Sequence, residues 1–113
     1  MENWADGLKE VAITVTDEKG VFTDMNLHSK RVNLKDVTKT VVGQDIKMCH
    51  SDRSNAIIKN IMQTKQPNVY TIIKKGQKKL IYQAPWFKDN GEFGGLVELS
   101  LVIPEQMPHY DRG

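Results

Sequence analysis

The chain has 113 residues, of which 39% are hydrophobic and 27% are charged, as expected for one ordinary globular domain with a modest core. The formal net charge of +2 gives no reason to expect nucleic acid or a membrane surface as a partner. Cys49 is the only cysteine, so no internal disulfide can form. The sequence also shows no secretory signal and no apolar run long enough to span a bilayer, and we expect a cytoplasmic protein.

The N-terminal segment, residues 1–8, has an amphipathic pattern. Trp4 and Leu8 recur at helical spacing among polar residues, which favours a short helix over residues 2–9 outside the main domain. A core this small has no obvious place for these two side chains, and exposed apolar stripes tend to mark interfaces. We therefore expect a homodimer that uses this segment together with the outer face of the sheet described below.

A strand hairpin and a short helix follow. β-Branched residues dominate residues 11–16, and a turn ending in Gly20 leads into a second strand over residues 21–25. Asn26 is a good N-cap, because its side-chain oxygen can accept from a free helical N–H group. Asn26 therefore predicts a short helix that begins after it and continues to about Val32.

The stretch Cys49-His50-Ser51-Asp52-Arg53-Ser54 leads into the longest predicted helix, near residues 52–64. Ser51 or Asp52 can cap this helix. Apolar residues then recur at helical spacing, and we expect them to form one buried stripe: Ile57, Ile58, Ile61 and Met62.

Three further strands joined by short turns complete the pattern. They are predicted over residues 69–74, 80–87 and 93–103. Pro85 within the second of them indicates an edge position or a bulge, because proline has no N–H to donate to a neighbouring strand. Residues 104–113 are polar and are expected to form a flexible tail.

This order of elements predicts an α+β fold over residues 9–103. The hairpin and the three-stranded meander would join into one five-stranded antiparallel sheet, with the helices packed on one face. The space between helices and sheet is a natural small-molecule pocket lined mostly by apolar side chains.

Cys49 and His50 are the most reactive residues near the predicted pocket. If the helical turn extends back to Cys49, then His50 and Ser54 lie on nearly the same helix face as Ile57 and Ile61. This spacing places the Cys-His pair at the upstream end of a pocket that Ser54, Ile57, Ile58 and Ile61 line. Two interpretations of His50 stay open: it orients the helix, or it contacts a ligand or metal.

Several motifs resemble those of a PAS domain. Thr16-Asp17-Glu18-Lys19-Gly20, followed by the helix that Asn26 opens, is similar to the start of such a domain. Val42-Gly43 and then His50-Ser51-Asp52-Arg53 resemble the His-Pro-Asp-Asp stretch that leads into the long PAS helix. The closing run Asp89-Asn90-Gly91-Glu92-Phe93-Gly94-Gly95-Leu96-Val97-Glu98 is similar to the last PAS hairpin. The resemblance covers residues 9–103. The Cys49-His50 pair with Ser54 looks most like a bacterial subgroup that often accompanies hemerythrin-like modules.

The resemblance implies a sensor that holds haem, flavin or a small metabolite between sheet and helices. The flavin photosensor version does not fit, because its reactive Cys lies about three residues beyond the conserved Gly, and here Gln44, Asp45 and Ile46 follow Gly43. Haem is a candidate cofactor, with His50 as the first choice of iron ligand and Cys49 as the second. The family's haem-binding His would align near Ser54, one turn away, so an organic ligand or no cofactor stays open.

We therefore expect a PAS sensor or ligand-binding domain that signals through ligand binding and through contacts with an unknown downstream protein. Two alternatives stay open: a haem-binding or redox-responsive protein that uses Cys49 and His50, and a ligand-free dimerisation module. We expect no enzyme, because the chain has neither a phosphate-binding loop nor a kinase motif. Adjacent residues on a helix also point about 100° apart, which disfavours direct Cys-His pairing.

Other polar clusters have ordinary explanations. We expect His28, on the short helix that Asn26 begins, to be a surface or hydrogen-bonded histidine. The lysines of residues 74–79 are expected to form a solvated hairpin tip. Trp86 and Phe87 are adjacent on one predicted strand, so their side chains should point to opposite faces. Three scattered histidines and one cysteine do not make a zinc site.

Overall fold

The computed structural model describes residues 1–34, 42–44 and 52–113, with side chains omitted at residues 52–54. The predicted site residues Cys49 and His50 therefore lie outside the described residues, as does most of the region from residue 35 to residue 51. Within the described ranges, no helix has the length and apolar character needed to cross a bilayer. The elements are α1 (Asn3–Asp6), β1 (Val11–Thr16), β2 (Phe22–Met25), α2 (Leu27–Asn33), α3 (Asp52–Thr64), β3 (Asn68–Lys74), β4 (Gln77–Phe87) and β5 (Phe93–Val102).

The five strands form one antiparallel sheet in the order β2-β1-β5-β4-β3. The α+β fold predicted from the sequence is confirmed, and the predicted central helix matches α3. β5, the last strand in the chain, pairs with β1 on one side and with β4 on the other. It therefore joins the N-terminal hairpin to the C-terminal meander.

The turn between β3 and β4 is a two-residue hairpin loop. Lys74 pairs with Gln77, and the two residues between them, Lys75 and Gly76, have φ angles of 51° and 76°. Positive φ at both central positions is typical of a type I′ turn, whose twist matches that of the flanking strands. The lysines at this tip are exposed except for Lys79, which is half-buried.

Pro85 lies at a place in β4 where its missing N–H is tolerated. β3 pairs with β4 only as far as Gln83, opposite Asn68, so Pro85 has a strand neighbour on one side alone, where it faces Leu96 of β5. The register shift that follows, between Trp86 and Phe87, is the irregularity that the proline indicated. The prediction of an edge or a bulge is confirmed for this part of the strand.

The link between β1 and the start of β5 depends on two glycines. Gly95 has φ of +145°, and a Cβ atom there would lie 2.1 Å from the carbonyl oxygen of Thr16. A Cβ on Gly94 would lie 2.3 Å from the ring of Trp86, whose Nε1 donates to the same carbonyl at 3.0 Å. Thr16 Oγ1 accepts from the backbone N–H of Leu96 at 3.1 Å. Glycine is therefore required wherever the two backbones and the indole come this close.

The helices and the inner face of the sheet enclose the main core. This core contains one residue of β2, two of α3 and one of β5, with two half-buried neighbours packed against them: Phe22, Ile58, Ile61 and Leu96, then Met62 and Phe93. Ala12 and Ile81, on the same face of the sheet, are also buried.

The outer face of the sheet is mostly apolar and carries no helix of the described residues. Strand alternation places one set of side chains on this face, and several of them are well exposed: Val69 at 48%, Ile73 at 78% and Tyr82 at 39%. The half-buried members of the same set are Val11, Ile13, Val15, Leu80, Ala84, Val97, Leu99 and Leu101. An apolar surface of this extent is typical of an interface.

Asn26 connects β1, α1 and α2 through four side-chain hydrogen bonds. Its side chain is fully buried, and Oδ1 accepts from the N–H groups of Ile13 and Ser29, both at 2.9 Å. Nδ2 donates to the carbonyl oxygens of Ala5 at 2.8 Å and Val11 at 2.9 Å. The predicted N-cap is therefore confirmed by its bond to Ser29, and the same amide also binds the N-terminal segment to the sheet.

The two ends of the chain differ in their contacts. Ala5 of α1 is fully buried, and Asp6 accepts from the backbone N–H of Leu27 at 2.8 Å. Trp4, in contrast, is 68% exposed. Residues 104–113 are exposed throughout and contain neither helix nor strand.

Replacing Asn26 by Ala should lower the free energy of unfolding by about 3 kcal/mol or more, because each buried group left without a partner costs about 1–3 kcal/mol. Asn26→Asp should cost at least as much, since it replaces the donating NH₂ group with a second acceptor oxygen 2.8–2.9 Å from the carbonyl oxygens of Ala5 and Val11 in a fully buried site. Urea unfolding at neutral pH measures both changes. Asn60→Ala, at an exposed site on α3, should cost under about 0.5 kcal/mol. Equal losses in Asn26→Ala and Asn60→Ala would contradict this account.

Candidate functional site

A cleft lies where α3 ends and β3 begins. The helix stops at Thr64 because Lys65 takes a positive φ of 59° and Pro67 cannot continue a helix. The Lys65 ammonium nitrogen lies 3.8 Å from the centre of the Phe93 ring, a cation–π contact that holds this turn against the start of β5.

This cleft has a volume of about 400 Å³, which is in the range of small-molecule sites. Its wall combines apolar side chains with three primary amides. The lining residues are Ala56, Ile57, Ile61 and Pro67 on the apolar side, with Asn60, Gln66 and Asn68 as the polar groups. Such a wall suits a small, largely apolar molecule that carries a few hydrogen-bonding atoms.

The predicted buried stripe of α3 needs one correction. Ile58 and Ile61 are buried at 6% and 1% exposure, but Ile57 is 36% exposed. At 100° per residue, Ile61 and Ile58 form the centre of the stripe, whereas Ile57 and Met62 lie at its two edges. Ile57 therefore faces the cleft rather than the core.

The other predicted site residues are only partly within the described chain. The backbone of Ser54 lies in α3, but its side chain, like Cys49 and His50, lies outside what the structure describes. The Cys-His pair at the upstream end of the pocket stays a prediction. The structure thus brings Ile57 and Ile61 to one cleft, with Ile58 behind them in the core.

Three polar residues that the sequence analysis did not select are joined on the inner face of the sheet. Asn68 Nδ2 donates to Gln83 Oε1 at 3.0 Å, and Gln83 Nε2 donates to Glu98 Oε2 at 2.8 Å. All three side chains are half-buried. The available signal was a polar residue at an inward position of each strand, but their proximity depends on a register that sequence alone does not supply.

Two titratable groups on this side of the molecule have shifted pKa values. Burial, and secondly the charge of Glu98, raise the pKa of Tyr70 above its ordinary value. Burial lowers the pKa of His28, with the positive charges of Lys79 and Arg31 acting in the same direction and Glu10 opposing them. His28 is half-buried on α2, and we assign it no ligand.

The described cleft does not itself offer a ligand for haem iron. None of the described residues that line it is a His, Cys, Met or Tyr, the side chains that bind haem iron in proteins. Among the described residues, no cluster of three or more His, Cys, Asp or Glu side chains could hold a metal ion. The predicted iron ligands, His50 and Cys49, lie outside the described residues.

The fold is similar to that of solved PAS domains. The PAS domain of the histidine kinase ThkA has a TM-score of 0.66 at 18% identity, covering 81% of this chain and 98% of that one. A C-terminal domain from Streptococcus mutans has a TM-score of 0.70 at 16% identity, covering 88% and 79%. The Aer2 receptor from Vibrio cholerae, described as a dual PAS-heme oxygen sensor, has a TM-score of 0.62 at 14% identity, covering 83% and 95%.

No protein-family model matches the chain, and no curated protein matches its sequence. The similarity to solved structures nevertheless establishes a PAS-like fold, in agreement with the resemblance found in the sequence. The expected link to the subgroup with a Cys-His pair has no support from these comparisons. A shared fold does not determine which function a chain has.

The lowered pKa of His28 predicts a pH-dependent stability. The unfolded chain takes up a proton near pH 6.5, whereas the folded chain resists it until a lower pH. Below about pH 6.5 the unfolded state therefore binds more protons, and stability falls as the pH falls. Between pH 7.5 and 5.5 the native protein should lose more stability than His28→Gln, as measured by urea unfolding. His109→Gln, in the exposed tail, should behave like the native protein, and identical slopes for all three would refute the assignment.

Proposed function

We propose that the protein is a sensory PAS-like module that binds a small molecule and passes the signal to a downstream protein by direct contact. The observation that carries this proposal is the cleft between α3 and β3, with its apolar wall and three amide side chains. Structural neighbours from a histidine kinase and from an oxygen-sensing receptor support a sensory role. The proposed activity is binding rather than catalysis.

The position of the cleft supports a link between binding and signalling. Its helical wall is the C-terminal part of α3, whose buried residues Ile58 and Ile61 belong to the main core with Leu96 of β5. Its other wall is the start of β3, at the edge of the sheet. A ligand in contact with both walls favours conformations in which helix and sheet edge have one fixed separation.

We further propose that the module forms a homodimer through the outer face of the sheet. This face is mostly apolar from β1 to β3, with Thr71 and Lys78 as its polar members on β3 and β4, and Val69, Ile73 and Tyr82 on it are exposed. β3 contributes to this face and to the cleft, since Val69 follows Asn68 directly and points to the opposite side of the sheet. A second copy of the chain fits the face because it carries the same apolar surface. Trp4 is also exposed, and it is available to extend the interface from the N-terminal segment.

The binding proposal predicts that compounds seated in the cleft will stabilise the native protein and will not stabilise Ile57→Trp, in which the larger ring fills the cleft. A ligand at one hundred times its Kd stabilises by about 2.7 kcal/mol, which corresponds to a rise in Tm of several degrees for a chain of this size. Thermal unfolding with a panel of small neutral aromatic and aliphatic metabolites, together with haemin, measures the effect.

Ile73→Trp, on the outer face, is the matched control and should keep the stabilisation. Equal stabilisation of native protein and Ile57→Trp would place the site elsewhere. A haemin Soret band that survives Ile57→Trp and His28→Ala but changes in His50→Ala would assign haem to the Cys49-His50 region. No Soret band would remove haem, and no stabilising compound would contradict the binding proposal.

The dimer proposal predicts that charges on the outer face will separate the two copies. The double variant Val69→Lys with Tyr82→Lys places two desolvated charges in the interface and should raise the dimer dissociation constant at least about tenfold. Sedimentation velocity over a concentration series measures it. Gln63→Lys, exposed on α3, adds a charge away from this face and should leave the dimer unchanged. A native protein that stays monomeric at high concentration would rule the interface out.

A further inference from the structure

The register of the sheet places four polar residues in one row on its inner face. Thr14 of β1 lies opposite Glu98 of β5, Glu98 lies opposite Gln83 of β4, and Gln83 lies opposite Asn68 of β3. Residues directly opposite one another point to the same face. The row begins under α2, where Thr14 Oγ1 and Ser29 Oγ are 2.6 Å apart.

The other end of this row reaches the cleft. Asn68 is a lining residue of the cleft, and its Nδ2 donates to Gln83, whose Nε2 donates to Glu98. The two hydrogen bonds connect a half-buried carboxylate to the cleft wall through two amides. A row two residues away on the same face contains Ala12, Ser100, Ile81 and Tyr70, so this carboxylate is not part of a generally charged surface.

The carboxylate determines which way both amides point. A carboxylate only accepts hydrogen bonds, so Gln83 must present its NH₂ group to Glu98 and its carbonyl oxygen to Asn68. Asn68 must then present its NH₂ group to Gln83. Its own carbonyl oxygen, Oδ1, accepts no hydrogen bond from the residues that the structure describes, and Asn68 is a lining residue of the cleft.

The other two amides of the cleft have no such constraint. Asn60 and Gln66 are exposed and can turn either their oxygen or their nitrogen toward a ligand. Asn68 is therefore the lining amide whose orientation is fixed, by its hydrogen bond to Gln83 and through it by Glu98. It offers an acceptor beside the apolar side chains of Ile57, Ile61 and Pro67.

We propose that Glu98 acts through Gln83 as a positioning residue that holds Asn68 Oδ1 as a hydrogen-bond acceptor in the cleft. The cleft then selects small, flat, mostly apolar molecules that carry an N–H donor on one edge, such as nitrogen heterocycles. The inference rests on the proposed binding function and adds the chemical class of the ligand. Selection arises because a molecule of the same shape with an acceptor at that edge would face an oxygen that cannot donate.

Indole and benzofuran test this selection, since they have the same bicyclic shape and differ in whether the ring atom is N–H or oxygen. Each is titrated into ¹⁵N-labelled protein, and the backbone amide shifts of Asn60, Gln66 and Asn68 are followed to obtain Kd. The native protein should bind indole about fivefold more tightly, the effect expected of one neutral hydrogen bond.

Three variants test the role of the carboxylate. Glu98→Gln allows the row of amides to reverse, because a glutamine both donates and accepts, so the preference for indole should fall below about twofold. Asn68→Ala removes the acceptor itself and should also abolish the preference for indole. It keeps the test possible if Glu98→Gln proves too unstable to study. Glu92→Gln makes the same charge change at an exposed turn and should keep it.

Each outcome decides the inference. A fivefold preference that is lost in Glu98→Gln and Asn68→Ala but kept in Glu92→Gln supports it. Equal binding of indole and benzofuran to the native protein, or an unchanged preference in Glu98→Gln, overturns it while the cleft remains a binding site. If neither probe shifts the cleft amides at millimolar concentration, the inference fails together with the proposed binding function.

Discussion

β5 pairs with both β1 and β4, and these two pairings join the N-terminal hairpin and the C-terminal meander into one sheet. These contacts connect residues far apart in the chain, such as Val15 with Val97, and closing such long loops costs more conformational entropy than forming a local hairpin. Thr16 offsets part of this cost, since its side-chain oxygen accepts from the N–H of Leu96 while its carbonyl oxygen accepts from the indole N–H of Trp86. The close approach is sterically feasible only because residues 94 and 95 are glycines.

The same register gives the two faces of the sheet opposite characters. On β5, Leu96 and Glu98 face the helices, whereas Val97 and Leu99 face outward. A shift of the strand register by one residue would turn every side chain to the opposite face of the sheet, burying the outer apolar residues and exposing the polar row. The proposed interface and the proposed ligand contacts therefore depend on one register, and a change in the position of β3 or β4 affects both.

Among the described residues, the helical layer is joined to the sheet at two main places. Asn26 makes four hydrogen bonds and connects α1 and α2 to β1. α3 contacts the sheet through Ile58 and Ile61 and ends at Lys65, where the chain turns back toward the sheet edge. The cleft exists because the helix stops one turn before β3 begins, so that the end of α3 and the start of β3 do not close against each other.

Much of the fold was evident from local patterns in the sequence. The cap bond from Ser29 to Asn26, Gly20 and the Lys75-Gly76 turn each involve near neighbours in sequence, so each specifies its own cap or turn. The helical period of Ile58 and Ile61 and the alternation of the strands likewise depend on spacing along the chain. Since these signals also lie in the order of a PAS-like fold, the sequence alone determined the α+β class, the five strands and the central helix.

Tertiary structure decided which residues meet at the cleft. Ile57 belongs to the same periodic pattern as Ile61, yet it lies at the edge of the stripe and faces the cleft. Asn68, Gln83 and Glu98 are separated from one another by 15 positions in the chain, and no local pattern relates them. Only strand register brings them into one row, because the partner of each residue in a sheet is set by the whole pairing of two strands and not by its neighbours in sequence.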